Sequence, residues 1–529
     1  MSDEKRGGFH AFVGNPPFAH KNLIFAGQGK EYVYFLCEVF PGAHGSSDLA
    51  AYFLRRAFDL LRPGGTAGLI ATNTVAQGDT RCTGLGWICT NGGHIYDACK
   101  RVRWPGVAAV IVSVVHLRRG VAATPCHLNG KEVDRVSAYL LGTGCDNDPP
   151  HLHANAGRAF VGSYILGAGF IFEDGNPGAN SIEDLREVVR RDPRNAERVF
   201  PFQGGEQINT DPQQALRGHV INFADMTEQE ARRWPDLMAL LETRVKPTRD
   251  KLGDEGDAKR RKAHWWRWGQ YSHALFDAVA RVPRVLATSQ VSTHLAFAFQ
   301  PSNVVFGHTV VVIALPQDAA LALLQSRVHE AWVRFRGSSF KDDPRYTPSD
   351  CFETFPFPTN WEPNATLEDA GRVYYEFRAA LMVQNDQGLT ATYNRFHDPD
   401  EHDVGILRLR ELHDAMDRAV LDAYGWTDVI PRCEFLLDYE DEAEDDDGRA
   451  KKRKKPWRWR WLDEVRDEVL ARLLALNAER AEEERLAGAE VKLVQAAKKR
   501  RQPTEERAAT ATKKAKTRTP PTGQGGLFG

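Results

Sequence analysis

Short apolar runs and turn residues alternate along the first part of the chain. Residues 9–13, Phe-His-Ala-Phe-Val, form a mainly apolar run and predict a buried β-strand. Apolar residues at helical spacing predict a helix over residues 49–61, and the Pro-Gly-Gly at residues 63–65 predicts the turn that ends it. A further apolar run at residues 67–72 predicts a second buried strand. This β–loop–α–turn–β order is typical of a doubly wound α/β sheet.

The patterns change further along the chain. Short helical and strand-like runs are mixed in its middle, and helical spacing follows. An acidic stretch and then a basic stretch predict a solvated linker. Three tryptophans that alternate with arginines would then line one side of an extended strand. We predict an α/β domain at 1–160, an α+β domain at 185–360, a helical domain at 361–436, a charged linker at 437–456, an amphipathic helical segment at 457–494 and a disordered basic tail at 495–529.

Composition excludes several classes of protein. The 529 residues are too many for one domain, and the hydrophobic content of 42% suffices for real cores. The net charge of −2 means that DNA binding would need local basic patches. The eight cysteines lack a paired CxxC spacing, so we expect a reducing environment and no metal site. Without a membrane-length apolar run or a signal peptide, we expect a cytoplasmic protein that does not contact a membrane.

The most informative stretch is Asn-Pro-Pro-Phe at residues 15–18, directly after the first predicted strand. Two prolines prevent both continued strand pairing and an immediate helix, so the chain leaves the strand as an extended loop. The loop presents the Asn15 amide, the Pro16 carbonyl and the Phe18 ring. Two acceptors beside a ring suit a flat heterocycle with an exocyclic amine, such as a flipped adenine. The alternative is a proline-rich turn in which Phe18 fills a core.

Two polar residues follow the second predicted strand. Gln77 and Arg81 lie just beyond its carboxyl end, where ligands bind in open α/β sheets. Arg81 could hold a DNA phosphate, or it could be a solvated surface arginine.

A basic and aromatic segment occurs at residues 259–268. Its mixture of cations and large rings suits phosphate contacts and base stacking. The alternative is a basic helix end followed by a tryptophan-anchored core. The candidate DNA-binding residues of this segment are Lys259, Arg260, Arg261, Lys262, Trp265, Trp266 and Arg267.

The Asn-Pro-Pro-Phe loop resembles motif IV of the N6-adenine (amino) DNA methyltransferases. The chain after it is similar to the large methylases of the type IIG restriction–modification group. It is also similar to the adenine methylase of the DISARM phage-defence system. The likeness extends to about residue 426. The segments that carry it, in the order that the family uses, are residues 15–18, 48–53, 62–65, 68–74, 77–81 and 104–110.

The resemblance implies a fold and a function. Residues 1–160 would be a partial Rossmann-like methyltransferase domain from motif IV onward, and residues 185–360 an α+β target-recognition domain. The activity would be site-specific transfer of a methyl group from S-adenosyl-L-methionine to adenine N6 in double-stranded DNA. Other proteins of a restriction–modification or phage-defence system would be partners. The catalytic residues would be Asn15, Pro16, Pro17 and Phe18, with Asn15 and Pro17 as candidates for cofactor contacts.

The cofactor loop of the family is the missing feature. In the family order a Gly-rich loop precedes motif IV, and the first 150 residues contain no such loop. The nearest candidate, Leu-Gly-Ala-Gly-Phe at 166–170, predicts a strand with a bend, or else the cofactor loop of a permuted methylase. A mis-called start, a split gene and a decayed fragment all remain open. We favour a split or truncated enzyme whose upstream-encoded polypeptide supplies the cofactor half. The rival hypothesis is a non-catalytic DNA target-recognition subunit.

Overall fold

The computed structural model describes residues 7–103, 111–120, 125–340, 343–437 and 457–501. Residues 1–478 form one compact unit, and residues 479–529 form a second. Parts of three sequence predictions therefore lie outside the described residues. They are residues 104–110 of the resemblance, residues 438–456 of the predicted linker and residues 502–529 of the predicted tail.

The described part of residues 1–133 contains one six-stranded sheet and five α-helices. The strands are β1 (Phe9–Gly14), β2 (Leu61–Thr72), β3 (Gly93–Arg103), β4 (Ile111–Arg119), β5 (Cys126–Leu128) and β6 (Lys131–Val133). The helices are α1 (Lys21–Gln28), α2 (Lys30–Val39), α3 (Leu49–Leu60), α4 (Gly78–Arg81) and α5 (Trp87–Thr90).

The sheet is mixed, with strand order β1-β2-β4-β3-β5-β6. β1 and β2 are parallel and connected through α3, whereas β4 pairs antiparallel with both β2 and β3. The predicted strand, helix and strand are all present. The predicted turn at 63–65 lies inside β2, where Gly64 has a φ of +78°.

One prediction about this sheet is wrong. β1 was expected to be buried, but Val13 keeps 91% and Phe9 keeps 56% of its surface exposed. The reason is position, because β1 lies at the edge of the sheet and pairs with β2 alone among the described strands. An apolar run indicates a strand, but it does not indicate how many neighbours that strand has.

The described residues in the middle of the chain form two four-stranded sheets, a short antiparallel strand pair and nine α-helices. The sheet orders are β13-β9-β10-β8 and β12-β11-β14-β7. The strands are β7 (Ala159–Val161), β8 (Ile171–Phe172), β9 (Val199–Gln203), β10 (Gly218–Ile221), β11 (Arg284–Ser289), β12 (Ala298–Pro301), β13 (Val305–Phe306), β14 (Val310–Ile313), β15 (Ser338–Phe340) and β16 (Asp343–Arg345). The helices are α6 (Ile182–Arg191), α7 (Gly205–Thr210), α8 (Glu228–Ala231), α9 (Pro235–Arg244), α10 (Lys246–Asp250), α11 (Gly256–Ala263), α12 (His273–Val279), α13 (Asp318–Gln325) and α14 (Arg327–Arg336).

Helices dominate the described residues from 365 to 501. The sequence predicted helical periodicity here, and the helices share one core with the sheet that contains β11. A buried ion pair of 2.7 Å between Arg327 and Asp417 connects α14 to the helix at Val404–Ala423. The tryptophan–arginine run forms the predicted strand. The elements are α15 (Ala365–Asn385), α16 (Leu389–Phe396), α17 (Val404–Ala423), β17 (Cys433–Leu437), β18 (Trp457–Trp461) and α18 (Asp463–Arg501).

Candidate active site

The parallel pairing of β1 and β2 brings two loops to one edge of the sheet. Because parallel strands run in the same direction, the loops after their carboxyl ends leave the sheet on the same side. Residues 15–18 follow β1, and a short 3₁₀ helix at Asn73–Ala76 follows β2. The structure therefore places the Asn-Pro-Pro-Phe loop and Gln77 at the edge where ligands bind in open α/β sheets.

The loop at residues 15–18 alternates between anchored and free residues. Asn15 and Pro17 are exposed, Pro16 is buried, and Phe18 is half-buried against the core of the sheet. The Asn15 amide makes no hydrogen bond with any residue that the structure describes. The loop therefore carries the free side-chain amide of Asn15 and the ring of Phe18, which packs against the core of the sheet.

The end of this loop is fastened to helix α3. The backbone N–H of Leu49 donates a 2.9 Å hydrogen bond to the carbonyl of Ala19. Asp48 caps the helix, since its Oδ1 accepts a 2.8 Å hydrogen bond from the N–H of Ala50. Burial raises the pKa of Asp48, although the hydrogen bonds that it accepts oppose this shift. The connection holds the loop against the sheet without using the Asn15 side chain.

The loop after β2 is held by hydroxyl groups. Ser47 donates a 2.9 Å hydrogen bond to the carbonyl of Asp79 and lies 2.8 Å from the Thr83 hydroxyl. The N–H of Asp48 donates to the Thr80 hydroxyl at 3.1 Å. Gln77 is exposed, and its amide has no hydrogen-bond partner within the described ranges. It remains available to a ligand.

Arg81 points into the protein. Only 3% of its surface is exposed, and its guanidinium lies 4.2 Å from the centre of the Tyr139 ring. It donates hydrogen bonds of 2.7 Å to the carbonyl of Asp146 and 2.5 Å to the carboxylate of Asp148. Burial raises the pKa of Asp148, but the charges of Arg81 and Arg336 and the hydrogen bonds from Cys82 and Tyr139 together outweigh burial and lower it. A guanidinium that is engaged in this way does not face a DNA phosphate.

Acidic or carbonyl groups engage most cations of the 259–268 segment. Lys262 lies 2.9 Å from Asp254, and both Arg260 and Arg261 pair with Asp257. Arg267 donates to the carbonyls of Met226 and Asp225 at 2.9 and 2.6 Å. Lys259 differs, because it is exposed and has no ion-pair partner in the part of the chain that the structure describes.

The tryptophans of this segment belong to a core. Trp265 and Trp266 are 5% and 6% exposed, and their rings meet edge to face with 5.9 Å between centroids. The indole of Trp266 donates a 2.9 Å hydrogen bond to the carbonyl of Met226. A ring that is packed into a core cannot also stack on a DNA base. Neither Trp265 nor Trp266 is therefore available to stack on a DNA base.

The Gly-x-Gly at 166–170 does not lie between a strand and a following α-helix, although Leu166, Gly167 and Ala168 line a cleft. Residues 168–170 form a 3₁₀ helix that precedes β8. A Cβ atom at Gly169 would lie 2.5 Å from the side chain of Arg244 on α9. Gly169 is thus explained by close packing against a helix.

A cleft that sequence reasoning missed lies between the two four-stranded sheets. Its volume is about 600 Å³, and it is lined by residues of both sheets and the segments between them. Gln207 donates a 2.5 Å hydrogen bond to Glu173 on its wall, and the buried Ser163 hydroxyl has no partner within the described residues. The Gly-x-Gly segment at 166–170 contributes Leu166, Gly167 and Ala168 to one wall, but the other walls come from segments far apart in the chain, so no local pattern could have indicated the whole cleft.

The described residues contain neither a candidate metal centre nor a helix that could span a membrane. The described ranges contain no group of three or more His, Cys, Asp or Glu residues that could hold a metal ion. Within the same ranges, no helix has both the length and the apolar character to cross a membrane.

Two family models match the chain. Residues 1–83, which include the Asn-Pro-Pro-Phe loop, match the model of the Eco57I restriction-modification methylase. Residues 172–359 match the model of the MmeI target recognition domain. The chain resembles the restriction–modification methylases.

A DNA methyltransferase and the solved structure of a restriction-modification enzyme are also similar to the chain. The chain is 22% identical over 437 residues to DNA methyltransferase A of Bacillus subtilis (strain 168), an alignment that covers 78% of the chain and 45% of that protein. The solved structure of the type IIL restriction-modification enzyme MmeI in complex with DNA has the same fold, with a TM-score of 0.52 at 17% identity. That match covers 89% of this chain and 57% of MmeI. The chain thus spans about half the length of these relatives.

Proposed function

We propose that the chain is the catalytic-loop and target-recognition portion of a site-specific DNA methyltransferase. It would transfer a methyl group from S-adenosyl-L-methionine to adenine N6 in double-stranded DNA. It would act in the cytoplasm, in a restriction–modification or DISARM phage-defence system with the other proteins of that system. The observation that carries the proposal is the free, exposed amide of Asn15, beside the Phe18 ring and at the carboxyl end of β1.

The chemistry of adenine explains why these groups suffice. The N6 lone pair is delocalised into the ring, which makes the amine a poor nucleophile. Hydrogen bonds from N6–H to the Asn15 Oδ1 and the Pro16 carbonyl would favour a tetrahedral nitrogen and orient its lone pair. Phe18 would stack on the base, a contact worth about 1–3 kcal/mol. Positioning then supplies most of the acceleration, and no strong base is required.

The fold supports a partial Rossmann-like methyltransferase domain at residues 1–160. The supporting feature is the β1–α3–β2 unit, in which two parallel strands are joined by a helix that packs on one face of the sheet. We propose that the target-recognition domain occupies residues 185–360 and that the helical domain at 361–436 supports it. Duplex DNA would contact Gln77 near the reacting base and Lys259 on the recognition domain.

The first 150 residues contain no Gly-rich cofactor loop. Of the described residues, only Asn15 and Pro17 are candidates for contact with S-adenosylmethionine, which would supply the methyl group when bound. We therefore propose that an upstream-encoded polypeptide carries the cofactor-binding half. The alternative, a non-catalytic recognition subunit, is favoured by the same lack of a Gly-rich cofactor loop.

Calorimetry and sequencing together test the proposal. We expect S-adenosylmethionine to bind the chain only when the upstream-encoded polypeptide is present. DNA from cells that express both chains should carry N6-methyladenine at one sequence motif in single-molecule sequencing. Methylation of cytosine would contradict the adenine assignment. DNA binding at one motif without any methylation would support the recognition-subunit alternative.

A further inference from the structure

The strand β18 carries the alternating tryptophans and arginines of residues 457–461. It pairs antiparallel with β17, and both strands lie outside residues 172–359, which match the model of the MmeI target recognition domain. Arg458 is 5% exposed, and its guanidinium reaches a loop inside that matched range. We call this loop, residues 290–294 directly after β11, the recognition loop.

The start of the recognition loop lines the cleft between the two four-stranded sheets, through Gln290 and Val291. The backbone of Gln290 is held on both sides. Its N–H donates a 2.7 Å hydrogen bond to the carbonyl of Thr309, and its carbonyl accepts one of 2.8 Å from the N–H of Tyr346. The side-chain amide of Gln290 makes no hydrogen bond with any residue that the structure describes. Such an amide suits the edge of an adenine, which presents one acceptor and one donor in the major groove.

Arg458 fixes the other end of the recognition loop. Its Nη2 donates a 2.8 Å hydrogen bond to the carbonyl of Thr293, and its Nη1 lies 2.7 Å from Nδ1 of His294. A guanidinium only donates, so Nδ1 accepts and Nε2 carries the ring proton. This Nε2 lies 2.8 Å from the side-chain oxygen of Asn394 on α16 and donates to it. One arginine thus holds both the backbone and a side chain of the loop.

The residue after Arg458 docks at the same place. The backbone N–H of Trp459 donates a 3.1 Å hydrogen bond to Nδ1 of His397. The ring of His397 stacks on that of His294, with 5.2 Å between the centroids. The strand therefore supports the recognition loop through its backbone as well as through the guanidinium.

A carboxylate near Arg458 makes the burial of its charge tolerable. Arg458 lines a small cavity together with Glu330 of α14. Burial raises the pKa of Glu330, but the charges of Arg334, Arg458 and Arg327 and the hydrogen bond from Arg334 together outweigh burial and lower it to about 2. Glu330 is therefore ionised at neutral pH and offsets part of the positive charge. The site fits an arginine, and a neutral side chain would lack both the charge and the donors.

We propose that Arg458 is a positioning residue for target recognition, which holds the recognition loop so that Gln290 faces a base edge of duplex DNA bound at the cleft. The inference rests on the proposed function and gives the β17–β18 pair a part in sequence specificity. Arg458 is buried, so it acts through the loop and does not touch DNA itself. Base contacts specify the sequence and phosphate contacts do not, so a displaced loop should lower affinity for the target sequence alone.

Selection of DNA duplexes from a randomised library tests this role with the full chain, and it needs no methyl transfer. The natural chain defines the preferred motif, and fluorescence anisotropy then gives the affinities for that motif and for an unrelated duplex. Arg458→Met should weaken binding to the motif about tenfold or more and leave binding to the unrelated duplex unchanged. Arg458→Lys should lose less, because an ammonium can still donate to the Thr293 carbonyl. The amides of the recognition loop should exchange hydrogen about tenfold faster in Arg458→Met.

Arg460→Met is the matched control on the same strand. Arg460 donates to the carboxylate of Asp463 and to the carbonyl of Trp461, and it makes no printed contact with the recognition loop. Each protein is measured well below its own melting temperature, so that the affinities belong to folded chains. If Arg458→Met does not fold, the comparison of Arg458→Lys with Arg460→Met decides in the same way.

The outcomes separate this inference from the proposed function. Loss of motif preference in the Arg458 variants but not in Arg460→Met would support the positioning role. An unchanged preference, the same loss in Arg460→Met, or equal losses for both duplexes would overturn it. A natural chain that prefers no motif would contradict target recognition itself, and the positioning role with it. A chain that prefers a motif but transfers no methyl group would remove the methylase activity and leave the role of Arg458 intact.

Discussion

Arg81 donates a 2.5 Å hydrogen bond to the carboxylate of Asp148, a residue 67 positions later in the chain. The contact joins the loop after β2 to a distant segment, with the Tyr139 ring beneath the guanidinium. The sequence left open whether this arginine held a DNA phosphate or lay on the surface. In the structure it does neither, because its charge is neutralised inside the protein.

Arg81→Ala should therefore affect stability more than DNA binding. We expect a loss of about 1–3 kcal/mol in the free energy of unfolding, since the variant removes a buried guanidinium and its hydrogen bonds to Asp146 and Asp148. Chemical denaturation measures this loss. Gln77→Ala is the control on the same loop, and its exposed side chain predicts unchanged stability. If Arg81→Ala is as stable as the natural chain but binds DNA more weakly, the result would contradict this expectation and support a contact between Arg81 and a DNA phosphate.

Lys259 is the cation of the 259–268 segment that we expect to contact phosphate. Lys259→Ala should weaken binding to specific and unrelated duplexes alike. The slope of log affinity against log salt should fall by about 0.9, the value for one released counterion. Fluorescence anisotropy at several salt concentrations gives this slope. Lys262→Ala is the control, because Lys262 is already paired with Asp254 at 2.9 Å. Equal slopes for the natural chain and Lys259→Ala would rule out the contact.

Buried histidines make the stability of the chain depend on pH. Burial and the charge of Arg458 lower the pKa of His294 to about 4. Its Nε2 lies 2.8 Å from the Asn394 oxygen and its Nδ1 lies 2.7 Å from Arg458, which fits a neutral ring. Arg334 and Glu330 also act on it, with opposite signs. Because the unfolded chain binds this proton near pH 6.5, stability should fall as the pH drops from about 7 to about 4.

The variant His294→Gln isolates this effect. Between pH 7 and pH 5 the natural chain should lose about 2 kcal/mol through His294 alone. The variant should lose that much less over the same range, although its stability at pH 7 can be lower. Urea denaturation at the two pH values provides the comparison. Equal losses in the two proteins would show that His294 does not stay neutral in the folded state.

The sequence predicted local structure well because local structure depends on nearby residues. The period of the apolar positions located the helix at Leu49–Leu60 and both flanking strands. The prolines at 16 and 17 correctly marked the point where β1 ends. Motif order pointed to the restriction–modification methylases, and the family models agree at residues 1–83 and 172–359.

The sequence did not predict features that depend on residues distant in the chain. The exposure of β1 depends on which strands lie next to it, which a single apolar run does not encode. The inward position of Arg81 depends on Asp148, and no residue near Arg81 in the sequence indicates that partner. The cations and tryptophans at 259–268 fitted two interpretations, and the sequence favoured DNA contact. The packing of Trp265 and Trp266 shows that the rings are in a core.

The most direct test of the catalytic role is Asn15→Ala, measured as single-turnover methyl transfer and as DNA affinity on the same duplex. The assay uses the full chain with the upstream-encoded polypeptide and labelled S-adenosylmethionine. Asn15 is exposed and makes no described side-chain contact, so the fold and the DNA affinity should be retained. We predict that transfer to adenine falls by at least about a hundredfold, as for loss of one positioned hydrogen-bonding group. Equal losses of transfer and affinity, or full activity of the variant, would contradict the account.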